Sequence, residues 1–305
     1  MNNKEYKIIR LIILIIIIIY LIYKSGFVNN TKKVSANVSM NNTTTVKHQV
    51  VNGNLNVYFI DVGQADSILV TDGINNMLVD AGNNEDGPKL VNYIKSLGIN
   101  SFKYVVGTHP HEDHIGGMDD IINNFGVDNY YMPDKLSTSK TFEDVLDALL
   151  NKNMKYTVPK ISDELNFGDT IIKVIYIDSE SNDANDSSIV LKIVHGNNSF
   201  LLTGDASKSV EKKVLNSDIS SDVLKLGHHG SEYSTSEVFI DKVNPKYAVI
   251  EVGKNNIYNH PKDIILQRLD KRNIKVYRTD IDGTIIFTTD GNNININKEV
   301  TDTNG

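Results

Sequence analysis

The sequence predicts an α/β fold: two β-sheets packed together with helices outside, carried behind an N-terminal transmembrane helix. Three observations predict it. From Leu55 onward, short apolar and β-branched runs alternate with stretches of helical spacing. The first part of that region begins with adjacent strands before helices join, and the second part repeats the pattern. Two sheets with helices on their outer faces would bury all of these apolar surfaces. Ahead of them, residues 11–23 (LIILIIIIIYLIY) form a nearly pure apolar run with no polar face.

That run is close to the about 20 residues needed to cross a bilayer. Arg10 and Lys24 can snorkel from its two ends. Lys4, Lys7 and Arg10 precede it and favour an N-terminus held inside. Residues 1–24 therefore read as an uncleaved signal anchor of a single-pass membrane protein with its catalytic domain extracytoplasmic. The alternative is a secreted chain, cleaved near Val34-Ser35-Ala36. Residues 25–54, rich in Asn, Thr, Ser, Val and Lys, read as a flexible linker, residues 55–297 as the folded domain and residues 298–305 as a disordered tail.

Within the folded region, Leu55–Ile60, Asp66–Val70 and Asn76–Asp80 read as strands, and residues 87–97 as a helix that stops at Gly98. A strand over Phe102–Val106 runs into a histidine-rich segment, followed by helices over Ile115–Asn123 and Thr141–Leu150. Strands are expected at Thr170–Ile177, Ser188–Val194, Ser199–Leu202, Val223–Leu226, Tyr247–Ile250, Ile274–Tyr277 and Thr284–Thr288. Helices are expected at Val210–Leu215, Val238–Val243 and Ile264–Leu269.

Composition narrows the chemistry. Among the 305 residues there is no cysteine, which excludes thiolate metal sites, disulfides and a cysteine nucleophile. The formal net charge of -7 gives no basic footprint and argues against holding nucleic acid mainly by counterion release. A bound metal can still supply positive charge locally.

The segment His109-Pro110-His111-Glu112-Asp113-His114 concentrates three of the chain's eight histidines in one hexapeptide. His109 and His111 are two apart, so in an extended segment they point the same way. Imidazole and carboxylate at a strand end suit zinc, and also manganese or iron. Two further strand ends carry candidates: Asp205 after Leu201-Leu202-Thr203-Gly204, and His228-His229 after Leu224-Lys225-Leu226-Gly227. Three strands thus deliver His and Asp to one rim. His260, in Asn259-His260-Pro261, is a fourth candidate. His48 and His195 read as incidental.

His109-x-His111-x-Asp113-His114 followed by Ile115-Gly116-Gly117 resembles the metallo-β-lactamase superfamily signature. Phe59-Ile60-Asp61-Val62-Gly63-Gln64-Ala65-Asp66-Ser67, Leu202-Thr203-Gly204-Asp205 and Lys225-Leu226-Gly227-His228-His229-Gly230-Ser231 narrow the resemblance to the hydrolase domain of ComEC-like competence proteins. So do Tyr258-Asn259-His260-Pro261 and Thr279-Asp280-Ile281-Asp282-Gly283-Thr284. It spans roughly Leu55 to Asn295, and the chain is expected to be a stand-alone, membrane-anchored relative. The resemblance implies a four-layer αβ/βα sandwich with two divalent metal ions at one edge, zinc as the preferred metal and manganese as the alternative. It implies His109 and His111 on one ion, Asp113, His114 and His228 on the other, Asp205 between them and Asp80 behind the histidine loop. Many members carry another histidine where this chain has Asn185-Asp186-Ser187-Ser188, so the first ion's site is expected to be the weaker or partly occupied one, with Asn185 near it.

Metal-activated water would attack the substrate. Asp113 would orient that water, and His229, His260 or Ser231 would bond to substrate or move a proton. The implied function is phosphodiester hydrolysis, a nuclease acting on DNA outside the membrane. The alternatives are hydrolysis of another ester, amide or lactam, and a tethered binding protein that keeps the fold without activity. Expected partners are nucleic acid as substrate and the membrane through the N-terminal helix; no obligate protein partner is readable.

Overall fold

The structure, a computed structural model, describes residues 53–299. The expected anchor over residues 1–24, almost all of the linker, His48 and residues 300–305 lie outside the described residues. Among the described residues, no helix is long and apolar enough to cross a membrane.

The described residues build two large sheets. In spatial order, the first runs Ile294–Glu299, Thr284–Thr289, Leu55–Phe59, Ile68–Thr71, Asn76–Val79, Tyr104–Val106, Tyr130–Tyr131 and Tyr156–Thr157. The second runs Lys275–Arg278, Tyr247–Ile250, Val223–Lys225, Asn198–Leu202, Val190–His195, Thr170–Tyr176 and Glu164–Phe167.

Alternation along the strands sorts side chains into three cores, because successive residues of a strand face opposite ways. Val57, Phe59, Val70, Val79 and Val106 of the first sheet meet Phe200, Leu202, Val223 and Val249 of the second in a central core. Their neighbours Leu69, Leu78 and Val105 turn outward, under Leu90 and Ile94 of helix Gly87–Ser96, Ile121 of Met118–Asn124 and Val145 of Lys140–Asn151. On the far side Leu201, Leu224, Ala248 and Ile250 pack beneath Val210, Phe239, Ile240 and Ile265 from helices Lys208–Val214, Glu237–Val243 and Asp263–Asp270. The result is the expected four-layer αβ/βα sandwich. Each fully buried Leu, Val or Phe contributes about 1.5–3 kcal/mol by leaving water.

Asn76–Val79, Tyr104–Val106 and Tyr130–Tyr131 pair in parallel, as do Asn198–Leu202, Val223–Lys225, Tyr247–Ile250 and Lys275–Arg278. Parallel neighbours end together, so the loops that follow them collect at one rim. Asp80, the His109–His114 segment, Asp205, His228-His229 and Glu251 all follow such strands.

Several elements differ from expectation. The strand expected over Phe102–Val106 is two pieces. Ser101–Phe102 pairs with Gly126–Val127 in a small separate sheet, while Tyr104–Val106 joins the first large sheet. Phe102 packs edge-on against Phe125 in the outer core, whereas Tyr104 faces the central core. Residues two apart in one unbroken strand would face the same way, so the break is required. The helix expected over Ile115–Asn123 is a single turn, Glu112–Ile115, then Met118–Asn124. Gly116 and Gly117 separate them because the chain passes against the Gly82–Asn84 backbone. A Cβ on Gly116 would lie 2.2 Å from the Asn83 carbonyl carbon. Of the tail expected over residues 298–305, Lys298 and Glu299 instead belong to strand Ile294–Glu299, with Glu299 accepting a hydrogen bond from the Tyr93 hydroxyl. Glu164–Phe167 and the short strands at Tyr130 and Tyr156 were not expected.

Candidate metal centre

The rim is built around Asp205, which is almost fully buried. Its amide donates to Ser188 Oγ at 3.1 Å, and Gly204 before it takes a positive φ of 51° that a side chain would strain. The carboxylate faces two groups of nitrogens. Oδ1 lies 3.3 Å from His114 Nε2 and 4.0 Å from His229 Nε2. Oδ2 lies 3.9 Å from His109 Nε2 and 3.7 Å from His228 Nε2. Asp113 Oδ2 is 3.2 Å from His229 Nε2, and His111 Nδ1 is 3.1 Å from His109 Nε2.

Behind the ligand atoms, buried groups fix the rings. Asp80, itself held at a positive φ of 60°, accepts from the Thr108 amide at 2.8 Å and the Thr108 hydroxyl at 2.7 Å, and its Oδ2 lies 2.8 Å from His114 Nδ1. His114 is therefore anchored through Nδ1 and presents Nε2, as a carboxylate-backed metal ligand does. His229 repeats the device, with Nδ1 2.9 Å from the Glu251 carbonyl oxygen and 3.2 Å from Asp66 Oδ1. His228 and His229 both sit in the left-handed region, at φ 54° and 51°. Such backbone costs of order 1–3 kcal/mol per residue and gathers at functional sites.

The arrangement fits divalent ions. Asp205 Oδ1 and His114 Nε2 are buried and make no hydrogen bond, an arrangement costly without a ligand. Two atoms bound to one tetrahedral ion at about 2.0–2.1 Å stand roughly 3.4 Å apart; the His114 spacing of 3.3 Å matches this, and the other three, 3.7–4.0 Å, are somewhat wider. His109, His114 and Asp205, and separately Asp113, His114 and His229, form clusters able to hold an ion.

Electrostatics agree. Burial opposes charge on Asp205 and on Asp113, but His114 and His229 outweigh it and hold both carboxylates below their usual range. Burial and the neighbouring His114 push His109 well down. Burial would lower His229 too, but Asp205 and Asp66 raise it to about 10. Its ordinary value is 6.5, so at neutral pH without metal His229 carries a proton that an ion must displace. Metal binding is therefore expected to release protons at pH 7.5 and to tighten as pH rises toward about 10. Calorimetry in buffers of different ionisation enthalpy measures this; an enthalpy independent of buffer would contradict it.

The site residues expected from sequence are not all placed alike. His109, His111, Asp113, His114, Asp205, His228 and His229 converge, and Asp80 stands behind them, against His114. His229, rather than His228, faces Asp113 and His114. His260 lines the same cleft, of about 350 Å³, and stacks on Tyr258 with ring centroids 5.7 Å apart. Burial, then His228 and His229, lower its pKa to about 4, so it is neutral at pH 7 and suited to hydrogen bonding rather than to donating a proton as imidazolium. Asn185 lines the cleft with its Oδ1 buried and unbonded. Ser231 instead supports the histidine loop, accepting from the Tyr233 amide, and does not line the cleft. His195 lies away from the rim, bonded to Thr170.

Sequence reasoning missed a buried charge network beneath the rings. Lys225 Nζ, fully buried, pairs with Asp66 Oδ2 at 2.5 Å. Glu251 Oε1 accepts from the Ser67 amide at 2.9 Å, and burial, then Asp66, push its pKa well up. The available signal was a charged residue inside an apolar run, as in Leu224-Lys225-Leu226 and Ile250-Glu251-Val252, which no solvated face explains.

A sandwich with two buried carboxylate-backed histidines and a central aspartate at the sheet edge defines a class of metal-dependent hydrolase folds. The chain belongs to the metallo-β-lactamase superfamily, whose match covers residues 60–253. It is 34% identical over 252 residues to ComE operon protein 3 of Bacillus subtilis (strain 168), covering 76% of this chain and 32% of that protein. It is 29% identical over 238 residues to competence protein ComA of Neisseria gonorrhoeae, covering 74% and 31% respectively. The chain thus spans about a third of the length of these competence-type relatives. Igni18, a metallo hydrolase of the archaeon Ignicoccus hospitalis, shares the fold with a TM-score of 0.51 at 18% identity, covering 76% of this chain and 98% of that one.

Proposed function

We propose that the chain is a metal-dependent phosphodiesterase, a nuclease acting on DNA outside the membrane. The observation that carries this reading is Asp205, which turns one oxygen to each of two groups of ligand nitrogens beside an open cleft. Two divalent ions so placed supply Lewis acidity and lower the pKa of water, a combination suited to in-line displacement at phosphorus. In that displacement the water oxygen bonds phosphorus, the P–O bond to the leaving alcohol breaks, and the leaving oxygen takes up a proton.

The chain's own residues prepare the step. Asp80 and Asp66 fix the rings of His114 and His229, so little reorganisation remains at reaction. Asp113, partly exposed to the cleft, is placed to orient the attacking water, and neutral His260 to hydrogen-bond the phosphate. The cleft adjoins another of about 670 Å³ that shares Gln64, Glu112, Asp113 and Tyr258, room for the rest of a polymer. With a net charge of -7 the chain has little else to attract a polyanion, which makes the ions the main anchor. The likeness to competence-type relatives supports DNA as the polymer in this reading. The basic residues ahead of the apolar N-terminal run support the extracytoplasmic placement in this reading.

The full-length chain in detergent is expected to cleave bis-p-nitrophenyl phosphate and plasmid DNA with added manganese or zinc, and to stop when EDTA is added. Cleavage of neither, alongside turnover of a lactam or a thioester, would overturn the proposal.

A further inference from the structure

The resemblance leaves a gap at the first ion: where many superfamily members have a third histidine, this chain has Asn185-Asp186-Ser187-Ser188. The structure shows what that segment does instead. Ser188 Oγ accepts from the Asp205 amide and lies 3.4 Å from His109 Nδ1, and Asp186 accepts from the Ser207 amide. Two of its side chains are thus engaged in holding the site together.

The tandem histidines offer a replacement. Both take left-handed backbone, and their rings diverge, with centroids 6.1 Å apart and planes at 73°. His229 turns inward, to Asp113 and to the Asp205 oxygen that faces His114. His228 goes to the other oxygen: its Nε2 lies 3.7 Å from Asp205 Oδ2, which is also 3.9 Å from His109 Nε2. Its side chain remains 32% exposed and lines the cleft with His111 and Asn185.

We infer that the adjacent histidines serve different ions: His228 completes the first site with His109, His111 and Asp205, in place of the missing histidine, while His229 completes the second with Asp113 and His114. A divalent ion of the zinc or manganese class, with imidazole and carboxylate ligands, is the species each site takes. One peptide bond then links the two shells, and the left-handed turn at residues 228 and 229 is what lets neighbouring rings reach opposite sides of one carboxylate. The inference rests on the two-ion reading of the site and not on phosphodiester chemistry.

The test is metal content and affinity, measured by mass spectrometry and by manganese titration of the full-length chain in detergent. The unaltered chain is expected to hold two ions. His228→Ala should lose the first, with its affinity weakened by more than about 100-fold, the upper range for changes that merely disturb a ligand. The spin-coupled two-manganese resonance should collapse to that of an isolated ion. His228→Gly, which tolerates positive φ without strain, should do the same and separates loss of the ring from loss of the loop. Combining His228→Ala with His109→Ala should still leave one ion, whereas combining it with Asp113→Ala should leave none. Asn185→Ala should keep both. A single ion in the unaltered chain would overturn both the two-ion reading and this assignment. Two undiminished ions in both His228 variants, or one ion kept in His228→Ala/Asp113→Ala, would overturn this assignment alone.

Discussion

Replacing Asp205 with alanine is expected to strip the rim of both ions and to lower phosphodiester cleavage by at least about 10²–10³-fold, the loss seen when one preorganised electrostatic group is removed from an active site. Asp205 has an oxygen on each side, with spacings of 3.3 and 4.0 Å from one group of nitrogens and 3.9 and 3.7 Å from the other. Its removal should cost stability as well as function, because His114 and His229 lose the buried carboxylate that compensates their charge. His109, His114 and Asp205 are all buried, and without metal Asp205 is held ionised by the histidines around it. Asp205→Asn keeps the shape but replaces one of the two carboxylate oxygens with an amide nitrogen and removes the charge, so it should retain one ion at most. Metal analysis together with steady-state cleavage of bis-p-nitrophenyl phosphate checks both variants. Full metal content in Asp205→Ala would remove Asp205 from the centre of the account.

Lys225→Met is expected to produce the largest loss of stability, about 3–5 kcal/mol, because it takes from the buried Asp66 the cation nearest to it. The ammonium is fully buried, pairs with Asp66 at 2.5 Å and donates to the Leu226 carbonyl at 2.9 Å. Burial works against charge on Lys225, yet Asp66 and Glu251 raise its pKa above the ordinary value, so it stays a cation. Urea denaturation measures the loss. The double variant Lys225→Met/Asp66→Asn removes both charges and should recover most of that stability, since an apolar or neutral pair can replace a buried ion pair at little cost. It should still bind metal about 10–100-fold more weakly than the unaltered chain, because His229 has lost the carboxylate that orients its ring. Wild-type stability in Lys225→Met would show that the pair contributes nothing.

What was legible in the sequence follows from which features are local. The cluster His109 to His114 is contiguous, and its chemistry can be read from six residues. The alternation that divides Leu69 from Val70, or Leu201 from Leu202, between two cores is local too, so the layers were readable. Asp205 and the His228-His229 pair stood out as polar groups at the ends of apolar strands. The division of labour between His228 and His229 was not readable, because it depends on left-handed backbone at two non-glycine residues that no side-chain pattern announces. The Asp66–Lys225 pair is not legible as a unit because Asp66 lies in the loop before strand Ile68–Thr71 of the first sheet and Lys225 in a strand of the second, and only the fold brings them together. Strand Ile294–Glu299 resembles a tail in part because this edge strand exposes four of its six residues and fully buries none.

The measurement that bears most directly on the central claim is anomalous diffraction from crystals of the chain grown with manganese. The account predicts two peaks flanking Asp205, one among His109, His111 and His228 and the other among Asp113, His114 and His229. A single peak, or two peaks with Asp205 on neither, would contradict it.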